Sequence, residues 1–225
     1  LWSEFDPTLY ELTAEYDGGG IHAGRNVTFG MREIGSEGGR LLVNGRRTFL
    51  RGTLECCVFP LTGTPPTTED GWLKVFATAR DWGLNHLRFH SYCPPEAAFR
   101  VADRMGFYLQ VELPCWSLNI GRDKEVELFL RREFDNIVAN YGNHPSLCLV
   151  SCGNELQSDF TVLNSMVRDM KQKDPRHLYS TTTFTFERGH GGHPEPEDQF
   201  FVTQRTDSGW VRGQGVFDAE RPSFE

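Results

Sequence analysis

His144-Pro145-Ser146-Leu147-Cys148-Leu149-Val150-Ser151-Cys152-Gly153-Asn154-Glu155 decides how this chain is read. A proline turn opens the stretch, a short apolar run rich in β-formers follows, and Gly-Asn-Glu ends it. An apolar run of that length between turn signals reads as a buried strand. An amide and a carboxylate at the end of a buried strand are costly unless something uses them. Glu155 is therefore a candidate proton-transfer group at the mouth of a parallel sheet, with Asn154 beside it to orient a substrate.

On either side, strand and helix patterns alternate. Upstream, residues 124–141 predict a long helix with Val126, Leu130, Phe134, Ile137, Val138 and Tyr141 inward and Gly142 as its stop. Before it, Phe107 to Leu113 reads as a strand stopped by Pro114. Pro95 opens a helix that buries Ala97, Ala98, Val101, Ala102 and Met105 and ends at Gly106. Leu84 to Phe89 is a strand. Glu69 to Trp82 is helical, with Trp72, Val75, Phe76, Ala79 and Trp82 on one face, and Thr48 to Leu54 is the first strand of the series. Downstream, Asp159 to Lys171 is helical, Asp174-Pro175 breaks it, and Leu178 to Thr183 is a fifth strand. This rhythm implies βαβ units, a parallel sheet and helices outside it. Beyond Phe186 it dissolves into a long loop over 187–198, with short strands expected at Phe200 to Thr203 and Trp210 to Phe217.

The N-terminal residues read differently. Leu9, Glu11, Thr13 and Glu15 alternate with Tyr10, Leu12, Ala14 and Tyr16, the pattern of a half-buried strand, and Val27 to Ile34 is a second strand. Two strands make no stable sheet alone, so residues 1–38 are expected to be the last strands of an all-β domain. Gly35 to Gly39 marks the boundary, and 39–225 forms the second domain. Leu41-Leu42-Val43 with Asn44-Gly45 predicts a short type I′ hairpin just past it.

Composition narrows the function classes. The chain has 225 residues, 38% hydrophobic and 24% charged, which is ordinary for a folded domain. A net charge of -8 argues against nucleic acid as partner. No apolar stretch has the length of a membrane span. Leu1 is not an initiator methionine, so the chain reads as a piece of a longer one and the absence of a leader leaves its compartment unassigned. The six cysteines (Cys56, Cys57, Cys93, Cys115, Cys148, Cys152) include no C-x-x-C pair and read as small buried thiols. Four of them lie at strand ends, which keeps a metal-dependent hydrolase as a further alternative. His190-Gly191-Gly192-His193 carries two histidines in a glycine-rich loop and reads as solvated rather than as a metal site.

In a parallel α/β barrel, functional groups gather where strands end. Here the first strand ends near Arg51, Glu55 and Cys56, and the second in Arg88, His90, Ser91 and Tyr92. The third ends in Glu112 followed by Cys115 and Trp116, and the fourth in Asn154 and Glu155. Four stretches in order also resemble glycoside hydrolase family 2, which holds β-galactosidases, β-glucuronidases and β-mannosidases. They are Phe29 to Ile34 with Leu42-Val43-Asn44-Gly45 and Leu50-Arg51-Gly52; Gly83 to His90; Ala102 to Tyr108, running on to Glu112; and His144-Pro145-Ser146 leading to Gly153-Asn154-Glu155.

The resemblance implies the first part of a (β/α)8 TIM-barrel catalytic domain, incomplete at its C-terminus, preceded by the last strands of an immunoglobulin-like β-sandwich. It implies a retaining β-glycosidase acting on terminal, β-galactoside-like sugars, with no cofactor. Glu155 matches the general acid/base, and Asn154 the residue that bonds the sugar's 2-hydroxyl. Arg88, His90, Glu112 and Trp116 are candidate substrate-binding residues, and Trp210 and Arg212 lie in a sixth-strand region. Two departures stand out. The β-galactosidases usually place a histidine three positions after the arginine, where this chain has Ser91. The family's nucleophile, a Glu at the end of the seventh strand, is expected beyond residue 225, so the chain alone is expected to be inactive. Its partners are then a glycoside and the remainder of the parent chain. The alternative is a sugar-binding protein on the same scaffold that has lost catalysis.

Overall fold

The computed structural model describes residues 1–116, 118–206 and 209–210, with backbone alone for 205, 206, 209 and 210. The chain begins with a long antiparallel hairpin, β1 (Tyr10–Gly18) on β2 (Ile21–Phe29). A three-stranded antiparallel sheet follows: β3 (Ile34–Glu37), β4 (Arg40–Val43) and β5 (Arg46–Arg47). Asn44 and Gly45 turn β4 into β5 with φ of 52° and 73°, both left-handed as a type I′ turn requires. The expected boundary at Gly35 to Gly39 is paired structure, because Gly35, Ser36 and Glu37 lie in β3 against β4. The hairpin is exposed along almost its whole length rather than half-buried. Alternation says which side chains share a face, and the described residues lay nothing over either face.

From β6 (Gly52–Glu55) the rhythm changes to α1 (Glu69–Asp81), β7 (His86–Phe89), α2 (Glu96–Met105), β8 (Tyr108–Glu112), α3 (Lys124–Tyr141), β9 (Leu147–Ser151), α4 (Phe160–Lys173) and β10 (Leu178–Ser180). The five strands β6 to β10 lie side by side in chain order, every neighbouring pair parallel. The expected α/β architecture with a parallel sheet is what forms. The helix ends follow local chemistry. Asp123 and Asp159 cap α3 and α4, each carboxylate accepting from two backbone amides of the first turn, and Gly106 ends α2 at φ 72°. Trp82, expected on the inner face of α1, caps that helix and is 81% exposed.

The sheet has two unlike faces. Leu87, Phe89, Leu109, Val111, Val150 and Tyr179 pack with Trp72, Phe76, Phe99, Phe134 and Leu163 of the helices in one buried cluster. Strand alternation and register turn Arg88, Gln110, Glu112, Ser151 and Ser180 to the other face. That face is polar toward the strand ends and apolar toward their starts, where Tyr108, Leu149 and Leu178 cluster with Trp2.

The N-terminal segment is pinned beneath those starts. The Trp2 indole donates to the Asp103 carbonyl at 2.7 Å. Arg32 donates to the carbonyls of Pro145, Leu147 and Arg176 at 3.1, 2.6 and 2.7 Å. The Asp103 carboxylate bonds His144 Nδ1 at 2.6 Å and accepts from Ser146 N at 3.0 Å. Two of the stretches quoted above therefore hold each other in place.

The expected strand at Phe200 to Thr203 does not form. Gln199 N donates to Tyr179 O at 2.9 Å and its side-chain oxygen accepts from Tyr179 N, while Thr181 N donates to Asp198 Oδ1 at 2.6 Å. Side-chain oxygens thus satisfy part of the β10 edge in place of a regular ladder. Of the expected Trp210 to Phe217 strand, Gly209 and Trp210 form β12, paired with β11 (Arg205–Thr206); Arg212 lies outside the described residues.

Candidate active site

The site is assembled where β7, β8 and β9 end. Asn154 N donates to Cys115 O at 3.1 Å, and Glu155 N to Thr183 O at 3.1 Å, which ties the end of β9 to the segments after β8 and β10. Gly153 is needed here, since a Cβ at this position would lie 2.5 Å from the Cys115 carbonyl oxygen. Glu155 has a left-handed backbone, φ 51°, which turns it out of the strand direction. Its side chain is half-buried, whereas Asn154 is buried.

A chain of polar contacts orients Asn154. Its Oδ1 accepts from Arg88 Nη2 at 2.5 Å, and Arg88 Nε donates to Glu112 Oε1 at 2.6 Å. Glu112 is fully buried and also accepts from Ser91 Oγ at 2.6 Å, from Gln110 Nε2 at 3.3 Å and from the Thr183 hydroxyl. Its carboxylate is therefore enclosed by protein donors. With Oδ1 held by Arg88, the Asn154 amide nitrogen is left buried and without a hydrogen-bond partner. A buried donor in that state is costly unless a bound group takes it.

The remaining candidates sit around this core. His90 meets Trp116 edge-on with ring centroids 5.9 Å apart, and Trp116 is 66% exposed. Glu55, at the end of β6, bonds the Tyr92 hydroxyl and accepts from Cys57 N at 3.0 Å, and burial pushes its carboxyl above the usual range. Gln110 and Thr183 were not singled out from the sequence. Gln110 was findable, because it lies two residues before Glu112 in a strand and shares its face. Thr183 belongs to the site through a fold contact 71 residues long in sequence and carried no local signal.

No three His, Cys, Asp or Glu side chains converge as a metal site among the described residues. Cys56 and Cys57 are exposed rather than buried, Cys93 is half-buried, and Cys115, Cys148 and Cys152 are buried as expected. His190 is not simply solvated: it stacks on Phe160 at 3.8 Å and bonds Glu195 Oε1 at 2.6 Å. No helix among the described residues is long and apolar enough to cross a membrane.

No family model matches the chain. Individual proteins do. A β-galactosidase of Halalkalibacterium halodurans is 26% identical over 195 residues, covering 79% of this chain and 19% of that protein. A putative β-glucuronidase of Formosa agariphila is 27% identical over 210 residues, covering 88% of this chain and 19% of its own. Among solved structures, Bacteroides uniformis β-glucuronidase 3 superposes with a TM-score of 0.69 at 25% identity, over 80% of this chain and 24% of that one. The β-D-glucuronidase of Dictyoglomus thermophilum shares the fold, with a TM-score of 0.72 at 20% identity over 80% of this chain and 34% of its own. The chain thus spans between about a sixth and a third of the length of the proteins it matches. Over four fifths of its length, this chain is similar in sequence and in fold to the β-galactosidases and β-glucuronidases of glycoside hydrolase family 2.

Proposed function

We propose that these residues form the first part of the (β/α)8 catalytic barrel of a retaining β-glycosidase acting on terminal β-linked, galactoside-like sugars. In this proposal 1–38 are the last strands of an immunoglobulin-like β-sandwich and 39–225 belong to the barrel. The observation that carries it is the Asn154-Glu155 pair at a parallel strand end, with the Asn154 amide turned by Arg88 and Glu112 so that its nitrogen has no protein partner. A sugar hydroxyl supplies the missing acceptor, and a bond to the 2-hydroxyl strengthens as positive charge develops on the ring.

Retaining glycosidases use two carboxyl groups about 5–5.5 Å apart. Glu155, protonated, gives its proton to the glycosidic oxygen as the bond to the anomeric carbon breaks and the nucleophile takes that carbon. Ionised, it then removes a proton from the water that hydrolyses the glycosyl-enzyme. Glu112 acts as a positioning residue, holding Arg88 and through it Asn154. The nucleophile is assigned, as the resemblance implies, to a Glu outside this 225-residue sequence. Glu195 is bound to His190 and Asn164, and Glu197 to Arg168 and Lys171, on the α4 side of the fold. The purified 225-residue chain is therefore expected to bind a β-glycoside without turning it over. Release of p-nitrophenol from an aryl β-glycoside by this chain would overturn the assignment of the nucleophile.

A further inference from the structure

Thr183, in the segment that follows β10, is buried, and each of its polar groups serves a different part of the site. Its backbone N donates to Gly153 O at 2.9 Å and its carbonyl accepts from Glu155 N at 3.1 Å, so its peptide groups bracket Asn154, with which it forms a parallel bridge. Its hydroxyl accepts from Gln110 Nε2 at 3.2 Å. An amide nitrogen offers only protons, and a hydroxyl has a single proton of its own to give. That proton goes to Glu112 Oε1. The same carboxylate oxygen takes Arg88 Nε, and the far end of Arg88 holds Asn154 Oδ1.

We propose that Thr183 is a positioning residue with two separable tasks. Its hydroxyl sets the Glu112-Arg88-Asn154 arm that meets the sugar, and its backbone ties that arm to Glu155. The inference rests on the reading of Asn154 and Glu155 given above and adds the residue that couples them. Without the hydroxyl, Gln110 Nε2 keeps only Glu112 Oε1, now at 3.3 Å, as its acceptor. A buried donor that loses a partner moves toward the one that remains, because leaving it unmade is costly. Gln110 then closes on the oxygen that Arg88 Nε uses. Arg88 is drawn out of line, and Asn154 loses the donor that fixes which end of its amide is free. Polar networks in a buried setting give way together rather than bond by bond. Valine has the branching of threonine and no hydroxyl. At position 183 it leaves the backbone bonds to Gly153 and Glu155 in place, so the sugar arm loosens while the acid/base stays where it is.

The test is a substrate pair read in the longest natural chain that carries these residues. The probes are p-nitrophenyl β-D-galactopyranoside and p-nitrophenyl β-D-glucuronide, each with its 2-deoxy counterpart. The quantity is the ratio of kcat/KM for the 2-hydroxy and 2-deoxy members, measured on one preparation, so the fraction of folded enzyme cancels. The unaltered enzyme should favour the 2-hydroxy member by at least about a hundredfold. Thr183→Val should lower that ratio by about tenfold, with the loss falling on the 2-hydroxy member and the 2-deoxy member unchanged within about twofold. Thr183→Ser keeps the hydroxyl and should hold the ratio within about threefold of the unaltered enzyme. Thr183→Ala stands in if the valine variant yields too little protein, with the same ratio expected. A ratio unchanged by Thr183→Val, or equal losses on both members, overturns the role given to Thr183 and leaves the Asn154 reading intact. An unaltered enzyme that treats the two members alike, or turns over neither sugar, overturns the Asn154 reading and the role of Thr183 with it.

Discussion

Glu112→Gln is the perturbation whose outcome is most closely fixed by the geometry. The side chains of Arg88 and Glu112 are 12% and 0% exposed and meet at 2.6 Å. Removing one partner of a buried pair leaves the other charge uncompensated, which typically costs about 3–5 kcal/mol. Glutamine keeps the shape and one acceptor oxygen, and the Ser91 hydroxyl can reverse to accept from its amide. The loss is therefore expected near the lower end, about 3 kcal/mol. With a urea dependence of about 2 kcal/mol per molar, the unfolding midpoint should fall by about 1.5 M with an unchanged slope. Adding Arg88→Met to Glu112→Gln removes the stranded cation, so the double variant should be less destabilised than the two single variants summed. A midpoint for Glu112→Gln within about 0.3 M of the parent protein, or strict additivity in the double variant, would refute the view that this pair holds the strand ends together.

Two further outcomes can be checked by thermal unfolding. Burial pushes the Asp198 carboxyl up to about 6, above its value of about 3.9 in an unfolded chain. The folded state holds that proton better, so the stabilisation is complete below about pH 4 and is lost as pH rises through about 6. Asp198→Asn cannot titrate, and its Tm should rise relative to the parent protein between pH 4 and 7; a difference that stays flat or runs the other way contradicts this. Arg32→Lys replaces a three-carbonyl clamp with a single ammonium and should cost about 2 kcal/mol. For a chain of this size that is a Tm drop of about 4–8 °C, and an unchanged Tm would mean that the clamp adds no stability.

The parts of the fold legible in the sequence are those written locally. Asp123, Asp159 and Gly106 mark helix ends by their own chemistry, and Asn44-Gly45 sets its turn by the φ values it tolerates. Leu147 to Ser151 is a buried strand, as its composition implies. What stayed hidden depends on partners distant in sequence. Nothing local says that Trp2 reaches Asp103, 101 residues away, or that Arg32 clamps the starts of β9 and β10. Alternation in Leu9 to Tyr16 implies half-burial, yet β1 is exposed, because periodicity carries no information about what covers a face. The site divides in the same way. A carboxylate ending an apolar strand draws attention to Glu155, and the strand-end pattern to Arg88, His90 and Glu112. That Glu112 is sealed behind Arg88, Ser91, Gln110 and Thr183 follows from register and from the segment after β10, which only the fold brings together.

Glu155 as acid/base is tested most directly by kinetics with a graded series of leaving groups, in the longest natural chain that carries these residues. Protonation matters most when the departing alcohol is a poor leaving group and least when it is an acidic phenol. Glu155→Gln should lower kcat/KM by about 100- to 10,000-fold for an alkyl β-glycoside, and far less for the 2,4-dinitrophenyl glycoside of the same sugar. Equal losses for both substrates, or no loss for either, would contradict the role assigned to Glu155.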